Sequence, residues 1–191
     1  MRLILASASP RRRDLMAQLG LDCEVIESGA DETAFGPAPA QVEELARRKA
    51  AAVRDKISGP AIIIAADTLV SIDGRILSKP DDEAEAFDML KTLSGKCHTV
   101  YTGVALAAAG GMSSFVESAH VTFRELTDRE ILGYIATGQP MDKAGAYGVQ
   151  DKGAALVAHI SGDYYTVVGL PLARLTAALW ELGVNIWGAR N

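Results

Sequence analysis

The chain has 191 residues, of which 49% are hydrophobic and 23% charged, and its formal net charge is −5. This length can bury a sizeable core in one large domain or two small lobes, and the composition is typical of a globular protein. The acidic balance argues against a protein that binds nucleic acid or anionic membranes by general electrostatics. A small anionic substrate, accompanied by a divalent cation, fits this composition better.

Redox and targeting signals are not apparent in the sequence. Cys23 and Cys97 are far apart and form no metal or redox motif, so we expect two free thiols in a reducing compartment. We expect no signal peptide, because Arg2 and a short apolar run do not make the required regions. No apolar run approaches the ~18 residues of a membrane span. The sequence therefore predicts a soluble, cytoplasmic protein.

The first segment reads as a strand, a serine loop and a helix. Residues 3–5 are apolar, Ser7 lies in the loop, Ser9 suits the N-cap, and Pro10 suits the first helical position. The first turn then carries Arg11, Arg12 and Arg13. Cations at the positive end of a helix dipole are unfavourable unless an external anion, such as a phosphate, binds there. The alternative is a solvated basic face.

The middle of the chain alternates short strands and helices. We expect a strand at 23–26, a helix at 40–57, a buried strand at 61–66, and a hairpin formed by 69–72 and 75–77. An acidic helix start follows at Asp81, and Gly95 lies after that helix. In this interpretation Arg47, Arg48 and Lys49 lie on or beside the polar face of the 40–57 helix.

The second half adds mostly antiparallel elements. Residues 98–109 and 112–123 predict a long hairpin, and Thr127 begins a helix with a capping box. Residues 139–153 read as a functional loop, 154–160 and 164–168 as strands, and 171–182 as the last helix. This order predicts a mixed α/β protein, with residues 1–191 forming a single domain.

Several polar residues could carry chemistry. Asp67 follows a buried strand, where open α/β sheets place their ligands, and could bind a divalent metal or accept a proton from water. It could equally cap the following turn. Glu32, in a loop with Asp31, is a possible second carboxylate or a surface residue. Lys49 and Lys79 could neutralise phosphate charge or be solvated.

The most specific stretch is residues 142–150, which combines a carboxylate, an ammonium, an aromatic ring for stacking and an amide that could read a base edge. These groups belong to Asp142, Lys143, Tyr147 and Gln150. Gly145 and Gly148 would let backbone approach a ligand. An ordinary glycine-rich turn is the alternative.

Other classes of site lack their motifs. The histidines have no metal-ligand spacing, so zinc chemistry is not supported. No P-loop, dinucleotide-binding fingerprint or nucleophile elbow occurs. A kinase, a Rossmann dehydrogenase and a serine hydrolase are therefore unsupported.

Taken together, these stretches resemble the Maf family of nucleotide pyrophosphatases. The motifs that carry the resemblance cover nearly the whole chain in the family's order, and they are residues 5–12, the Asp31-Glu32 loop, 66–68, Lys79-Pro80, 142–150, and 162–172. The resemblance implies an α/β, Maf/ITPase-like fold with two lobes, a long central mixed sheet flanked by helices, a cleft between the lobes, and a homodimer. It also implies hydrolysis of a nucleoside triphosphate to the monophosphate and pyrophosphate with Mg²⁺ or Mn²⁺.

The resemblance extends to individual residues. For this reaction we expect Asp67 to be the proton acceptor for the attacking water and, with Glu32, to hold the metal. We expect Ser7, Arg11, Arg12, Lys49 and Lys79 to bind the triphosphate. Within the family, Tyr147-Gly148-Val149-Gln150 resembles the subgroup that acts on dTTP and UTP, with Arg11, Thr68 and Gln150 at the positions associated with that preference. Asp142, Lys143 and Tyr147 would complete the substrate site.

One departure from the family pattern concerns Asp151, which stands where the family usually has glycine. An added negative charge beside Gln150 could alter the loop or its selectivity. Three alternatives remain at this point: a 7-methyl-GTP pyrophosphatase of the sister subgroup, a regulator of septum formation that acts by binding partners, and a nucleic-acid-binding module that the acidic balance disfavours.

Overall fold

A computed structural model describes residues 2–188. Its strands are β1 (Leu3–Leu5), β2 (Glu24–Val25), β3 (Ile62–Ile72), β4 (Arg75–Leu77), β5 (Cys97–Ala108), β6 (Gly111–Phe123) and β7 (Val157–Gly162). Its α-helices are α1 (Pro10–Gln18), α2 (Ala38–Arg54), α3 (Glu83–Leu93), α4 (Asp128–Ile135), α5 (Tyr164–Val168) and α6 (Leu172–Glu181). Short 3₁₀ turns occupy Gln139–Asp142, Ala144–Ala146 and Asp151–Leu156. The predicted mixed α/β class is confirmed.

The strands form one seven-stranded mixed sheet in the order β2-β1-β3-β5-β6-β7, with β4 paired to β3. β1 runs parallel to both β2 and β3, whereas β4 is antiparallel to β3 and β7 is antiparallel to β6. The predicted hairpin of β3 and β4 is therefore confirmed, and β5 and β6, predicted as the long hairpin, are neighbours in the sheet with a short connection between Ala108 and Gly111.

The described chain divides into two compact units. The first unit comprises residues 2–67, 102–116 and 169–188, and the second comprises 68–101 and 117–168. Neither the single-domain prediction nor the expected cleft is tested by this division. Among residues 2–188, no helix combines the length and apolar character that crossing a membrane requires.

In the first unit, α2 packs on the sheet through small side chains. The buried cluster joins one face of α2 to alternate residues of β1, β3 and β5, and its members are Ile4, Ala6, Ala46, Ala50, Val53, Ile63, Ala65, Ala105 and Ala107. Alternate residues of a strand share a face, and residues three or four apart share a helix face. The alanines let the helix lie close to the sheet, so α2 is held in a fixed register over β3 and β5.

In the second unit, α3 packs against α4. Their apolar faces are buried, including Leu90 in α3 and Ile131 in α4. The predicted capping box at the start of α4 is confirmed, because Thr127 Oγ1 accepts from the Glu130 amide and Glu130 Oε2 accepts from the Thr127 amide at 2.8 Å. The Thr127 amide and hydroxyl, which both donate to the Glu130 carboxylate, and the Arg124 side chain lower the pKa of Glu130 to about 2.

Two local predictions need correction. β3 continues to Ile72, because no glycine or proline interrupts the β-branched run after Asp67, so the predicted break at 66–67 is wrong. The predicted strand at 164–168 is helix α5, because Asp163 Oδ2 accepts from the Thr166 amide and hydroxyl, each at 2.8 Å, and so caps a helix. Ser9 occupies the N-cap of α1, as predicted, although its side chain forms no capping bond.

Candidate active site

A buried ion pair links helix α2 to strand β3 in the first unit. The Lys49 ammonium donates to Asp67 Oδ1 at 2.7 Å and lies 2.7 Å from Glu32 Oε1. Lys49 and Asp67 are each 8% exposed, whereas the Glu32 side chain is 58% exposed. We call Glu32, Lys49 and Asp67 the carboxylate–lysine cluster. It places one cation against two carboxylates, one of them buried.

The position of Lys49 corrects the expectation that it lies on or beside the polar face of its helix. Lys49 follows Ala46 by three residues and precedes Val53 by four, which puts it on the same face as these buried residues. The neighbouring Arg47 and Arg48 do lie toward the surface, where Arg48 Nε donates to Glu44 at 2.8 Å. The three-and-four spacing was present in the sequence and could have identified Lys49 as inward-facing.

Asp67 lies within β3 rather than at its end, so the strand-end argument for its function was wrong. It shares strand parity with Ile63 and Ala65, which pack under α2. Asp67 therefore extends the row that α2 covers, and Lys49 on α2 is its natural partner. A buried carboxylate requires such a partner, because an unpaired buried charge is costly. The turn-cap alternative is not supported, since Asp67 precedes no turn.

Glu32 rather than Asp31 turns toward the cluster. Asp31 is exposed, and its Oδ1 accepts from the Thr33 amide at 2.9 Å, which lowers the pKa of Asp31. This local bond uses Asp31 within its own loop. Its neighbour Glu32 is the residue that reaches Lys49, and Glu32 is the residue that we named from the sequence as a possible second carboxylate.

The start of α1 forms a second polar group in the first unit, made of Ser7, Arg12 and the Gly169 carbonyl. Arg12 Nε donates to the Gly169 carbonyl oxygen at 2.8 Å, and its Nη1 lies 3.4 Å from Ser7 Oγ. Ser7 is buried, and its hydroxyl oxygen also accepts from the Ser9 amide at 3.2 Å. The hydroxyl and guanidinium that were expected to bind an anion are thus brought together.

The electrostatics join this group to the carboxylate–lysine cluster. Burial lowers the pKa of Arg12, and the negative charges of Asp67 and Glu32 oppose that shift. Arginine stays protonated in proteins, so Arg12 is a fixed positive charge. Arg11 is only partly buried and adds a second positive charge that lowers the pKa of Arg12. The first unit therefore combines cations and carboxylates, the arrangement that a metal-bound phosphate requires.

The loop at 142–150 lies in the second unit and is internally braced. The Lys143 ammonium donates to Asp142 Oδ1 at 2.6 Å and to the Gln139 carbonyl. A Cβ at Gly148 would lie 2.8 Å from Lys143 Cε, so a larger residue at this position requires the lysine side chain to shift. Lys143 and Asp142, predicted to bind substrate, thus contact each other in this structure.

Tyr147 is placed differently from the expectation. Its side chain is 5% exposed, so its ring is not presented as a stacking surface, and that part of the prediction is wrong.

The remaining predicted residues of this unit are accessible in varying degree. Lys79 is exposed, and Thr68 and Gln150 are partly buried. The Gly145 amide donates to the Ser78 carbonyl at 3.0 Å, which ties the loop to the residue before Lys79.

A divalent cation fits the donor chemistry of Glu32 and Asp67. Mg²⁺ is usually held by one or two carboxylates together with substrate phosphates and water. Within residues 2–188 there is no group of three or more His, Cys, Asp or Glu side chains arranged to hold a metal. The carboxylate pair therefore fits a metal that arrives with phosphate, rather than a metal caged by protein alone.

One buried residue was missed as a contributor to the loop. His98 was considered only as a zinc ligand, but it is buried in β5 and its Nε2 lies 2.7 Å from the Tyr147 hydroxyl. Its strand parity with Val100 and Thr102, both buried, was the signal that could have shown its burial. The partner 49 residues away could not have been found from spacing.

These features define an α/β protein with a buried carboxylate–lysine cluster and an arginine group suited to an anion. The family model described as Maf-like protein matches residues 2–182, and the chain belongs to the Maf family. The chain is similar to the dTTP/UTP pyrophosphatase of Moorella thermoacetica, with 51% identity over 98% of each chain. It is also similar to a dTTP/UTP pyrophosphatase of Bacillus cereus, with 48% identity over 97% of each chain.

Solved structures give more distant likenesses. A nucleoside-triphosphatase, or dITP/XTP pyrophosphatase, from Mycobacterium abscessus is 15% identical, with a TM-score of 0.45, and the match covers 95% of this chain and 97% of that one. A HAM1 protein from Coxiella burnetii is 14% identical, with a TM-score of 0.49, and the match covers 95% of this chain and 99% of that one.

Asp151 adopts a backbone conformation that glycine takes up more readily than other residues. Its φ is +56°, in the left-handed region that disfavours most side chains. We expect Asp151→Gly to change the free energy of unfolding by less than about 1 kcal/mol, because relieved strain and added unfolded-state freedom oppose each other. Asp151→Val should destabilise by about 2 kcal/mol, since a β-branched residue is strained at this φ. Urea denaturation measures both, and equal stability of the two variants would contradict this reasoning.

Proposed function

We propose that this chain hydrolyses dTTP and UTP to the nucleoside monophosphate and pyrophosphate. Relatives that are 48–51% identical over nearly the full chain and are named dTTP/UTP pyrophosphatase support this substrate class. The observation in the structure that carries the proposal is the buried ion pair between Lys49 and Asp67. It provides a positioned carboxylate beside cationic groups, which suits attack of water on the phosphoanhydride between the α and β phosphates.

Asp67 is the proposed proton acceptor. Water attacks the α phosphorus, the bond from this phosphorus to the oxygen that bridges the α and β phosphates breaks, and pyrophosphate leaves with that oxygen. The proton of the attacking water goes to the Asp67 carboxylate. A positioned general base contributes about 10²–10⁴-fold to such reactions. Lys49 holds this carboxylate by Oδ1 and fixes its orientation toward the reacting water.

The remaining groups bind and orient the substrate. We propose that Ser7, Arg11, Arg12 and Lys79 bind phosphate oxygens, with the Gly169 carbonyl fixing the Arg12 guanidinium. Preorganised cations act where negative charge develops and need little rearrangement during the reaction. Lys49 contributes positive charge to the same triphosphate.

Glu32 and Asp67 would hold a divalent metal, Mg²⁺ or Mn²⁺. When bound, the metal would neutralise negative charge on the triphosphate. Lys49 contacts both carboxylates, so its ammonium would share them with the cation. Glu32 is the more exposed of the two carboxylates and is the one that can adjust its position.

Base recognition is proposed for the second unit. Gln150 and Thr68 are partly buried polar side chains that could bond a pyrimidine edge. Asp142 and Lys143 brace the loop that carries Gln150, and Tyr147 supports it from the buried side. We propose that this loop gives the preference for thymine and uracil.

The proposal is tested by measuring pyrophosphate release from dTTP, UTP, CTP, GTP and 7-methyl-GTP, with and without Mg²⁺ or Mn²⁺. We expect metal-dependent turnover that is at least about tenfold faster for dTTP and UTP, a discrimination of the size that lost base contacts produce. Preference for 7-methyl-GTP would support the proposed release of pyrophosphate but overturn the proposed recognition of thymine and uracil. Absence of turnover with every nucleotide would overturn the enzymatic function and favour a regulator that acts by binding partners.

We further propose a homodimer, which the family resemblance implies, and a cytoplasmic location, which we expect from the sequence. Sedimentation equilibrium of the purified chain tests the first proposal, and a monomer at micromolar concentration would contradict it. Fractionation of cells that produce the protein tests the second.

A further inference from the structure

His98 is a buried polar side chain that contacts Tyr147 in the loop at 142–150. It belongs to β5, is 2% exposed, and has Nε2 2.7 Å from the Tyr147 hydroxyl oxygen. Its other ring nitrogen, Nδ1, has no hydrogen-bond partner among residues 2–188. Histidine is rarely buried unless its polar atoms are used. Among the described residues, the hydrogen bond to Tyr147 is therefore the contact that uses the polarity of the His98 side chain.

Three rings surround this hydrogen bond. His98, Phe123 and Tyr147 pack mutually edge to face, with centroid separations of 5.1 Å, 5.3 Å and 4.7 Å. Edge-to-face packing is the favoured geometry of aromatic pairs and fixes the plane of each ring. His98 comes from β5 and Phe123 ends β6, so the sheet supplies two rings and the loop supplies the third.

The backbone next to Tyr147 is held in an unusual conformation. Gly145 has φ +68° and Ala146 has φ +58°, and a Cβ at Gly145 would lie 3.1 Å from the Val70 side chain. A non-glycine residue at positive φ persists only where its surroundings enforce it, and such residues cluster at functional sites. Ala146 precedes Tyr147 directly, so an anchor on the tyrosine side chain opposes relaxation of this strained turn.

We propose that His98 is a positioning residue that acts through the Tyr147 hydroxyl to hold the 144–150 segment, and with it Gln150, in the conformation that recognises the pyrimidine base. This inference deepens the proposed function and rests on it. His98 does not touch substrate in this account. Its effect passes through one hydrogen bond, so the two partners should behave as a unit.

The charge states agree with this geometry. Burial lowers the pKa of His98 to about 4 and raises the pKa of Tyr147. Both side chains are therefore neutral near pH 7, and the bond between them is an uncharged hydrogen bond. The hydrogen bond forms only if the nitrogen that replaces His98 Nε2 lies at a similar position. The amide side chains of glutamine and asparagine place their nitrogens differently, so they serve as matched replacements for His98.

The test compares His98→Gln with His98→Asn. The glutamine amide can place a nitrogen near the position of Nε2, whereas asparagine reaches only the position of Nδ1, which has no partner among the described residues. Tyr147→Phe removes the hydroxyl from the other side and keeps the ring. All three variants are made in the full chain and assayed with dTTP, UTP and CTP, and their amide hydrogen exchange is followed over residues 144–150.

We expect His98→Asn and Tyr147→Phe each to raise KM for dTTP and UTP about tenfold and to reduce the preference over CTP, with kcat within about twofold. Exchange of the 144–150 amides should become about tenfold faster in both. His98→Gln should stay within about threefold of the wild type in both measurements. The double variant His98→Asn/Tyr147→Phe should be no worse than either single variant.

Wild-type KM, selectivity and exchange in Tyr147→Phe would overturn the inference, whether or not His98→Asn folds. Equal impairment of His98→Gln and His98→Asn would also overturn it, because packing of the ring rather than the hydrogen bond would then be responsible. If the wild-type chain does not hydrolyse dTTP or UTP, the proposed function fails, and the exchange data alone then decide whether His98 holds the loop.

Discussion

Asp67→Asn is expected to lower turnover of dTTP and UTP by about a thousandfold, the middle of the range that a general base contributes. The amide cannot accept the proton of the attacking water, but its oxygen can still accept the hydrogen bond from Lys49. The ion pair with Glu32 also remains available to Lys49. The loss should therefore appear in kcat, with the fold retained. Pyrophosphate release and circular dichroism on the same preparation measure the two effects.

Asp55→Asn is the matched control for this substitution. Asp55 is an exposed carboxylate directly after α2, in the same unit as Asp67 but outside the proposed machinery. This variant should retain the turnover of the wild type. An Asp67→Asn enzyme within about tenfold of the wild type would show that Asp67 is not the base. The metal-holding role would then be its remaining assignment.

Gly103→Ala should lower the free energy of unfolding by about 3 kcal/mol, the upper part of the usual range for overpacking. Gly103 lies in β5 where α2 crosses, and an added Cβ would collide with the Val42 carbonyl and lie 2.7 Å from the Glu43 amide nitrogen. These are backbone atoms, so relief requires α2 to move away from the sheet. Because α2 carries Lys49, we expect activity to fall together with stability.

Gly133→Ala provides the contrast. Gly133 is exposed in α4, and an added Cβ there meets nothing within 4 Å. Alanine should raise the stability of this helix by up to about 1 kcal/mol relative to glycine. Urea denaturation of the two variants measures the difference. A Gly103→Ala protein as stable as the wild type would mean that α2 is not held in its register by this close approach.

Local patterns predicted most of the elements because their causes are local. Apolar spacing located α2, a capping box located the start of α4, and Gly110-Gly111 located the turn between β5 and β6. The failures have local causes as well. Residues 164–168 contain β-branched and aromatic residues, which favour a strand, but the Asp163 cap begins a helix there. Asp67 is acidic and yet lies inside β3.

The candidate site was predicted in composition more than in geometry. Glu32, Lys49 and Asp67 were identified from the sequence. No sequence rule, however, places a carboxylate from a loop and a carboxylate from a strand each 2.7 Å from one ammonium on a helix. Tyr147 was predicted to be accessible because aromatic residues in glycine-rich loops can stack on bases. Its burial depends on His98 and Phe123, which lie in separate strands. Such contacts follow from tertiary packing, so spacing along the chain cannot reveal them.

The hydrogen bond from Arg12 to the Gly169 carbonyl joins positions 157 residues apart. During synthesis the amino-terminal end emerges first, and pairing between β1 and β3 needs only residues 3–64. The arginine, by contrast, cannot acquire its carbonyl partner until nearly the whole chain has been translated. A truncated or unfinished polypeptide can thus contain the serine loop and the arginines without this bond. The polar group of Ser7, Arg12 and the Gly169 carbonyl therefore assembles late in synthesis.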